Sequence, residues 1–281
     1  MIIDFHTHPF MVQELIDEDP NLEKAIKEVY GLLFPPSPLS IFIKEMDAAG
    51  VDLCVLLPID CTSSYGLKIV SNEAVSRLCK DNPRFIGFAS VDPHSKSAVD
   101  ELKNAVEHLG LKGLKLDPAL QQFELNSEEF AYPLYQKCSE FGIPVLVHCG
   151  LNWAPKALSH KAYPLDLEPA IMAHPETNFV ITHLGWPWVN EASILAMKYP
   201  NVYLDTSVVY SGTPAECLHH VVYTMMGKEI FERNLSSKVI YGSNYPRADI
   251  RRSIRGIKNL GFSNYLTAQL LEKNAAKLLG L

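Results

Sequence analysis

The feature that most constrains this 281-residue chain is a series of apolar runs that recur along it with helical patterns between them. VDLCVLL (51–57), IPVLVHC (143–149) and NFVITHL (178–184) are nearly continuous in apolar residues, as strands buried on both faces should be. Runs of this kind predict strands at 2–6, 51–57, 84–90, 112–117, 143–149, 178–184, 201–205 and 237–241. Between them, SAVDELKNAVEHL (97–109) and SEEFAYPLYQKCSEF (127–141) carry apolar residues at helical spacing, with Asn126 or Ser127 available to cap the second. Eight strands alternating with helices predict an α/β fold, a single (β/α)8 TIM barrel, for which about 250 residues is the typical size. A doubly wound open sheet is the alternative, but no glycine-rich phosphate loop follows the first strand. No internal repeat, low-complexity tract or linker interrupts the pattern, so one domain over 1–281 is expected.

Composition narrows the partners. The chain is 47% apolar, and 25 basic against 32 acidic residues leave a net charge of −7 with no long basic run. Such a surface repels nucleic acid and anionic membranes, so neither is an expected partner. The six cysteines form no CxxC pair, and most lie in apolar runs, where a free thiol behaves as a small hydrophobe. A reducing, cytoplasmic setting follows as the expectation. The opening residues lack a basic stretch before an apolar core, and the apolar runs are too short to span a bilayer.

Two connections exceed what the strands require. Residues 9–50 contain an acidic helical stretch, DPNLEKAIKEVYGLL, and a proline-rich turn, FPPSP, which together read as an inserted helical segment after the first strand. Residues 150–165, GLNWAPKALSHKAYPL, follow the strand at 143–149. Long loops at the C-terminal ends of barrel strands build or cover sites, although packing alone also explains such segments.

The histidines fall at these ends. In IDFHTH, His6 and His8 lie two apart, and alternation along a strand turns both to one side. Two neutral imidazoles converging on one point suit a metal ion, and a hydrogen-bonded pair is the plain alternative. His148 closes a strand in VLVHCG and His183 closes another in THLG, each followed closely by glycine. The C-terminal ends of barrel strands meet at one face, so all four histidines are predicted to converge. His94, His108, His160, His174, His219 and His220 lack this placement and read as surface or capping residues.

The ordered set IDFHTH, KGLKLDP, VLVHCG, THLG and YGSNYPR resembles the amidohydrolase superfamily over essentially the whole chain. It looks most like the branch containing aminocarboxymuconate-semialdehyde decarboxylase, related aromatic-acid decarboxylases and lactone hydrolases. The resemblance implies one divalent metal ion, commonly zinc, on His6, His8 and His148, with His183 as catalytic histidine or additional ligand. It also implies a hydrolase acting on an ester, lactone or amide through metal-activated water. Decarboxylation of a planar carboxylic acid is the second reading, and metal-dependent binding without turnover is the third.

One motif departs from the family pattern. Asn244 stands in GSNYP where relatives carry aspartate, which touches the metal and handles a proton. An amide oxygen still coordinates a divalent ion, so Asn244 is retained as a candidate ligand and catalytic position, but it accepts no proton at neutral pH. Three explanations stand open: a substitution introduced to hold a ligand without turnover, a natural variant in which His183 alone is the base, or binding without chemistry.

Candidate substrate contacts are Lys115, Trp186 and Arg247. Lys115 reads as a cation facing an anionic small molecule, or as a lysine snorkelling at the rim, and Asp117 is placed to pair with it. Trp153, Trp186 and Trp188 fall in loops over the expected mouth, suited to stacking on a planar substrate or to lid packing. Arg247 offers a bidentate fork for a carboxylate, or merely starts the next helix. A homo-oligomer is left open.

Overall fold

The computed structural model describes residues 1–31, 35–208 and 210–281. Leu32 and Leu33 of the expected acidic helix, Phe34 of the proline-rich turn, and Val209 lie outside the described residues. Among those described, ten strands form in chain order: β1 (Ile3–Thr7), β2 (Leu53–Leu56), β3 (Ile59–Cys61), β4 (Leu67–Ile69), β5 (Phe85–Gly87), β6 (Leu114–Leu116), β7 (Val145–Val147), β8 (Phe179–Ile181), β9 (Val202–Asp205) and β10 (Val239–Ile240). Eight of these fall within the predicted runs and pair in parallel as two sheets, β1-β2-β5 and β10-β9-β8-β7-β6. The other two, β3 and β4, form an antiparallel hairpin that the apolar pattern does not reveal.

The sheets meet at both edges, but not through continuous ladders. Between β5 and β6, the amide of Ala89 donates to Gly113 O and that of Lys115 to Ala89 O, both at 2.7 Å. Between β10 and β1, Phe5 N donates to Tyr241 O at 2.9 Å and Asn244 N to His6 O at 2.9 Å. The observed architecture is therefore a mixed α/β fold of parallel sheets, and the expected closure of all eight strands in one ladder is corrected to these isolated bridges.

Helices cover the outside because their apolar residues recur at i, i+4 and i+7. Helix Ala98–Glu107 buries Ala98, Leu102 and Ala105, and helix Ile250–Lys258 buries Ile250, Ile254 and Ile257. The second is capped by Asp249, whose carboxylate accepts from Arg252 N at 2.7 Å. The helix expected over 127–141 starts later, at Tyr132. Ser127 does not cap it: its hydroxyl accepts from Phe130 N in the turn before, and Pro133 fits the first helical turn, where a missing N–H is harmless. Between β1 and β2 lie helices Gln13–Glu18, Pro20–Tyr30 and Leu39–Ala49.

Side chains inside the strands form one apolar cluster: Ile3, Phe5, Val55, Leu57, Phe88, Leu146, Val180, Tyr203 and Ile240, joined by Ala275. The rings of Phe5 and Phe88 meet edge to face at 5.5 Å. The sequence makes room for this at Gly113, where an added Cβ would lie 2.4 Å from Phe88. A separate, larger cluster fills the space between strands and helices. All six cysteines are unpaired, and all but Cys79 are buried. Among the described residues no helix is long and apolar enough to cross a membrane.

Candidate metal centre

A bulge in β1 aims the opening motif. Its pairing runs Ile3 to Leu53 and Asp4 to Cys54, then resumes at Thr7 to Leu56, so β1 spends one residue more than its partner. Such an extra residue re-phases the side chains beyond it. Phe5 packs into the inner apolar cluster, and His6, the very next residue, faces the cavity together with His8. Close approach of the last strand helps: a Cβ on Gly242 would sit 2.6 Å from His6 Cβ.

The cavity lies at the C-terminal ends of the parallel strands and encloses about 60 Å³. His6, His8, Lys115, Asp117, His148, His183, Trp186, Asn244 and Arg247 all line it, so the predicted residues converge from β1, β6, β7, β8 and β10. Five residues of the wall carried no sequence signal for this role: Tyr30, Ile59, Leu151, Asn152 and Val208. Trp153 reaches the cavity but is 52% exposed. Trp188 is not part of the wall; it packs edge to face on Tyr163 at 5.3 Å, in keeping with the packing alternative. His160 is exposed and outside the wall.

Ring-nitrogen partners fix the tautomers. His6 Nδ1 lies 2.8 Å from Asp205 Oδ2 and His8 Nδ1 lies 2.9 Å from Leu57 O. Both partners only accept, so each Nδ1 carries the proton and each Nε2 carries a lone pair. Those two Nε2 atoms face one another at 3.0 Å. Two lone pairs at that distance repel unless a cation stands between them. Nitrogens bound tetrahedrally at about 2.0–2.1 Å would lie roughly 3.3 Å apart, so the pair fits a metal ion with little adjustment.

The other two histidines are linked. His183 Nδ1 meets Ser207 O at 2.9 Å and Ser207 Oγ at 2.8 Å, which leaves Nε2 as an acceptor 3.1 Å from His148 Nδ1. His148 thereby donates through Nδ1, and its Nε2 is buried with no hydrogen-bond partner. His6, His8 and His148 thus all line one cavity, the first two with facing Nε2 atoms and the third with an Nε2 that has no partner among the described residues. Burial, reinforced by Lys115, pushes His6 and His148 well below the usual histidine range; burial, then His6 and Lys115, does the same for His8. For His183 the causes are burial, then His148 and His6. All four are neutral, as ligands must be.

Ligand atoms of His6, His183 and Asp205 also lie within 4.8 Å of one another. The Asp205 oxygens are already engaged: Oδ2 by His6 Nδ1, Oδ1 by the amides of His183 at 2.8 Å and Ser207 at 3.0 Å and by the Ser207 hydroxyl. This carboxylate orients both imidazoles, a supporting role that metal-site histidines commonly require. Asp205 and Ser207 were missed because LDTS at the end of β9 contains no histidine or repeated motif to mark it.

Behind the histidines, burial pushes the Asp4 carboxyl up to about 7; Ser243 N donates to its Oδ1 at 2.8 Å while Oδ2 has no partner. Asp117 does not pair directly with Lys115. It caps the short helix Pro118–Gln121 through Leu120 N at 3.0 Å, accepts from Asn152 Nδ2 at 3.0 Å, and stands 3.8 Å from His148 Nδ1. Lys115 is 1% exposed, and burial lowers its pKa despite attraction from Asp117 and Asp205. Asn244 holds a left-handed backbone (φ 64°) that asparagine tolerates better than most residues.

A parallel α/β fold with a histidine-rich pocket at its strand ends defines a class, the enzymes built on barrel-type strands that carry their sites at the C-terminal face. The profile of the amidohydrolase family matches residues 3–281, and the chain belongs to that family, as an enzyme of the amidohydrolase superfamily. A stretch of 67 residues is 40% identical to protein fluG of Emericella nidulans, covering 24% of this chain but only 8% of that protein's length. An uncharacterized TIM-barrel protein from Bordetella bronchiseptica is similar at TM-score 0.78 and 24% identity, over 99% of this chain and 98% of that one. The 5-carboxyvanillate decarboxylase LigW of Sphingomonas paucimobilis follows at 0.65 and 17%, over 100% and 99%. A probable 2-pyrone-4,6-dicarboxylic acid hydrolase of Acinetobacter baumannii, solved with citric acid bound, gives 0.67 and 18%, over 100% and 99%. At these identities the likeness is one of fold.

Proposed function

We propose that this chain is a (β/α)8-type, metal-dependent hydrolase of an ester, lactone or amide, with one divalent ion, zinc first, on His6, His8 and His148. The observation that carries the reading is the pair of facing Nε2 lone pairs 3.0 Å apart, with a third unpartnered Nε2 on His148. Asn244 offers its amide oxygen as a neutral fourth donor. When bound, such an ion supplies Lewis acidity and lowers the pKa of water from 15.7 toward about 7. His183 has its Nδ1 proton fixed by Ser207, so its Nε2, once it releases the hydrogen bond from His148 Nδ1, is the atom that takes and returns a proton. Lys115, Trp186 and Arg247 hold an anionic small-molecule substrate in this reading.

A second reading, decarboxylation of a planar acid, is favoured by one feature: the Trp186 ring lines the pocket and is held flat by stacking on Tyr210 at 4.1 Å and 3°. The decarboxylase among the similar structures uses the same fold. Elemental analysis of purified protein tests the metal, with about one ion per chain expected. Equal metal in the double variant His6→Ala, His8→Ala would remove the central claim. Release of carbon dioxide from an aromatic acid would move the second reading ahead, and metal retention without turnover of any ester, lactone or acid would favour a binding protein.

A further inference from the structure

The cavity wall also carries two donor groups that, among the described residues, have nothing to donate to. Tyr30 is the last residue of helix Pro20–Tyr30, and its hydroxyl is buried without a partner. Its ring is held in place by stacking on Phe10 at 4.9 Å and 21°. Arg247 lies with its guanidinium carbon 4.7 Å from the centre of the same ring. Among the described residues that guanidinium makes no hydrogen bond or ion pair, although both residues line the cavity. A stacked guanidinium keeps its N–H edges free, and a phenol beside it adds one more donor.

We propose that Tyr30 and Arg247 together form a recognition point for a carboxylate of the substrate, with Tyr30 as a specificity-determining residue. A surface of donors alone complements a group that only accepts. A carboxylate suits the planar fork, and it takes the phenol hydrogen bond on a remaining lone pair. Burial holds the Tyr30 phenol protonated, so it remains a donor across the working pH range. Burial also lowers the Arg247 pKa, with Tyr30 and Asp117 opposing the shift; Asp117 attracts it without reaching ion-pair distance. The flat Trp186 ring in the wall makes an aromatic acid the natural probe. The inference deepens the metal-dependent reading, on which it rests for the reacting end of the substrate.

Benzoate and its neutral isostere benzamide, titrated calorimetrically into the full chain, test it in both zinc-loaded and EDTA-treated protein. Benzoate should bind at least about tenfold more tightly than benzamide. Arg247→Gln should weaken benzoate by at least about tenfold, and Tyr30→Phe, which keeps the ring stack and removes one oxygen, by about three- to tenfold. Should Arg247→Gln fold poorly by circular dichroism, Tyr30→Phe alone decides. Equal binding of benzamide, or unchanged benzoate binding in a folded variant, overturns the proposal. Metal content, measured in parallel, separates the two readings. If the folded variants carry full metal yet bind benzoate unchanged, the carboxylate site falls and the metal reading stands. If the His6→Ala, His8→Ala variant keeps Arg247-dependent benzoate binding while wild-type protein binds no metal, the carboxylate site stands and the metal reading falls.

Discussion

The two ends of the strand-lined interior are built on opposite terms. Toward the N-terminal ends, Phe5, Phe88, Leu146, Val180 and Ile240 fill space with apolar contacts and leave no polar group to satisfy. Toward the C-terminal ends, His6, which directly follows Phe5, and Lys115, His148 and Asp205 are also buried but polar. The backbone differs as well: His183, Leu184 and Asn244 have φ of 58°, 51° and 64°, in a region costly for side-chain-bearing residues. The first end holds the strands together, and the second spends part of that stability on groups arranged for a ligand.

The comparison breaks most readily at Phe5. Phe5→Ala should reduce stability by about 3–5 kcal/mol, read by denaturant unfolding, because it opens a cavity among residues that cannot collapse. Metal content of the folded fraction should be unchanged. If metal were lost along with stability, the β1 bulge would be coupling the two ends, and their independence would be refuted.

Asn244→Asp probes the polar end. Aspartate tolerates the same backbone, and the new carboxylate brings a charge and a proton acceptor, so kcat should rise by at least about 10²-fold. Unchanged turnover would mean that His183 suffices as the base.

A smaller effect is expected from Asp205→Asn, which keeps the size of the group that orients His6 and His183 but removes its charge. Metal affinity should fall about 10–100-fold, measured by competition with a chelator. A larger loss, equal to that of deleting a ligand, would make Asp205 a ligand itself.

Trp153→Ala should have the smallest effect. The side chain is more than half exposed, so stability should change by no more than about 0.5 kcal/mol in thermal unfolding. A large drop would show that the loop after β7 packs as a structural lid.

Much of this was legible in the sequence, and the residues show why. The runs around Leu53–Leu56, Val145–Val147 and Phe179–Ile181 are apolar because both faces of each strand are buried, so their unbroken apolarity identifies them. His6, His8, His148 and His183 were found because strand ends in such a fold share one face. Lys115 follows from the same logic, whereas Asn244 and Arg247 follow from the resemblance of YGSNYPR to the family motif. The β3–β4 hairpin escaped because IDC and LKI each carry a charged residue in the middle and form no continuous apolar run.

What the tertiary structure decided were the relations between distant residues. Asp205 meets His6 across 199 positions of sequence, and no local pattern encodes that 2.8 Å contact. Tyr30 reaches the cavity only because its helix folds back over the strand ends, and in the sequence it is one more aromatic on an amphipathic face. The bulge that turns His6 inward directly after Phe5 depends on pairing with β2, fifty residues away. Composition and period report the environment of each residue one at a time. Tautomers, lone pairs facing each other and donors left without acceptors are properties of pairs, and they exist only once the chain has brought those pairs together.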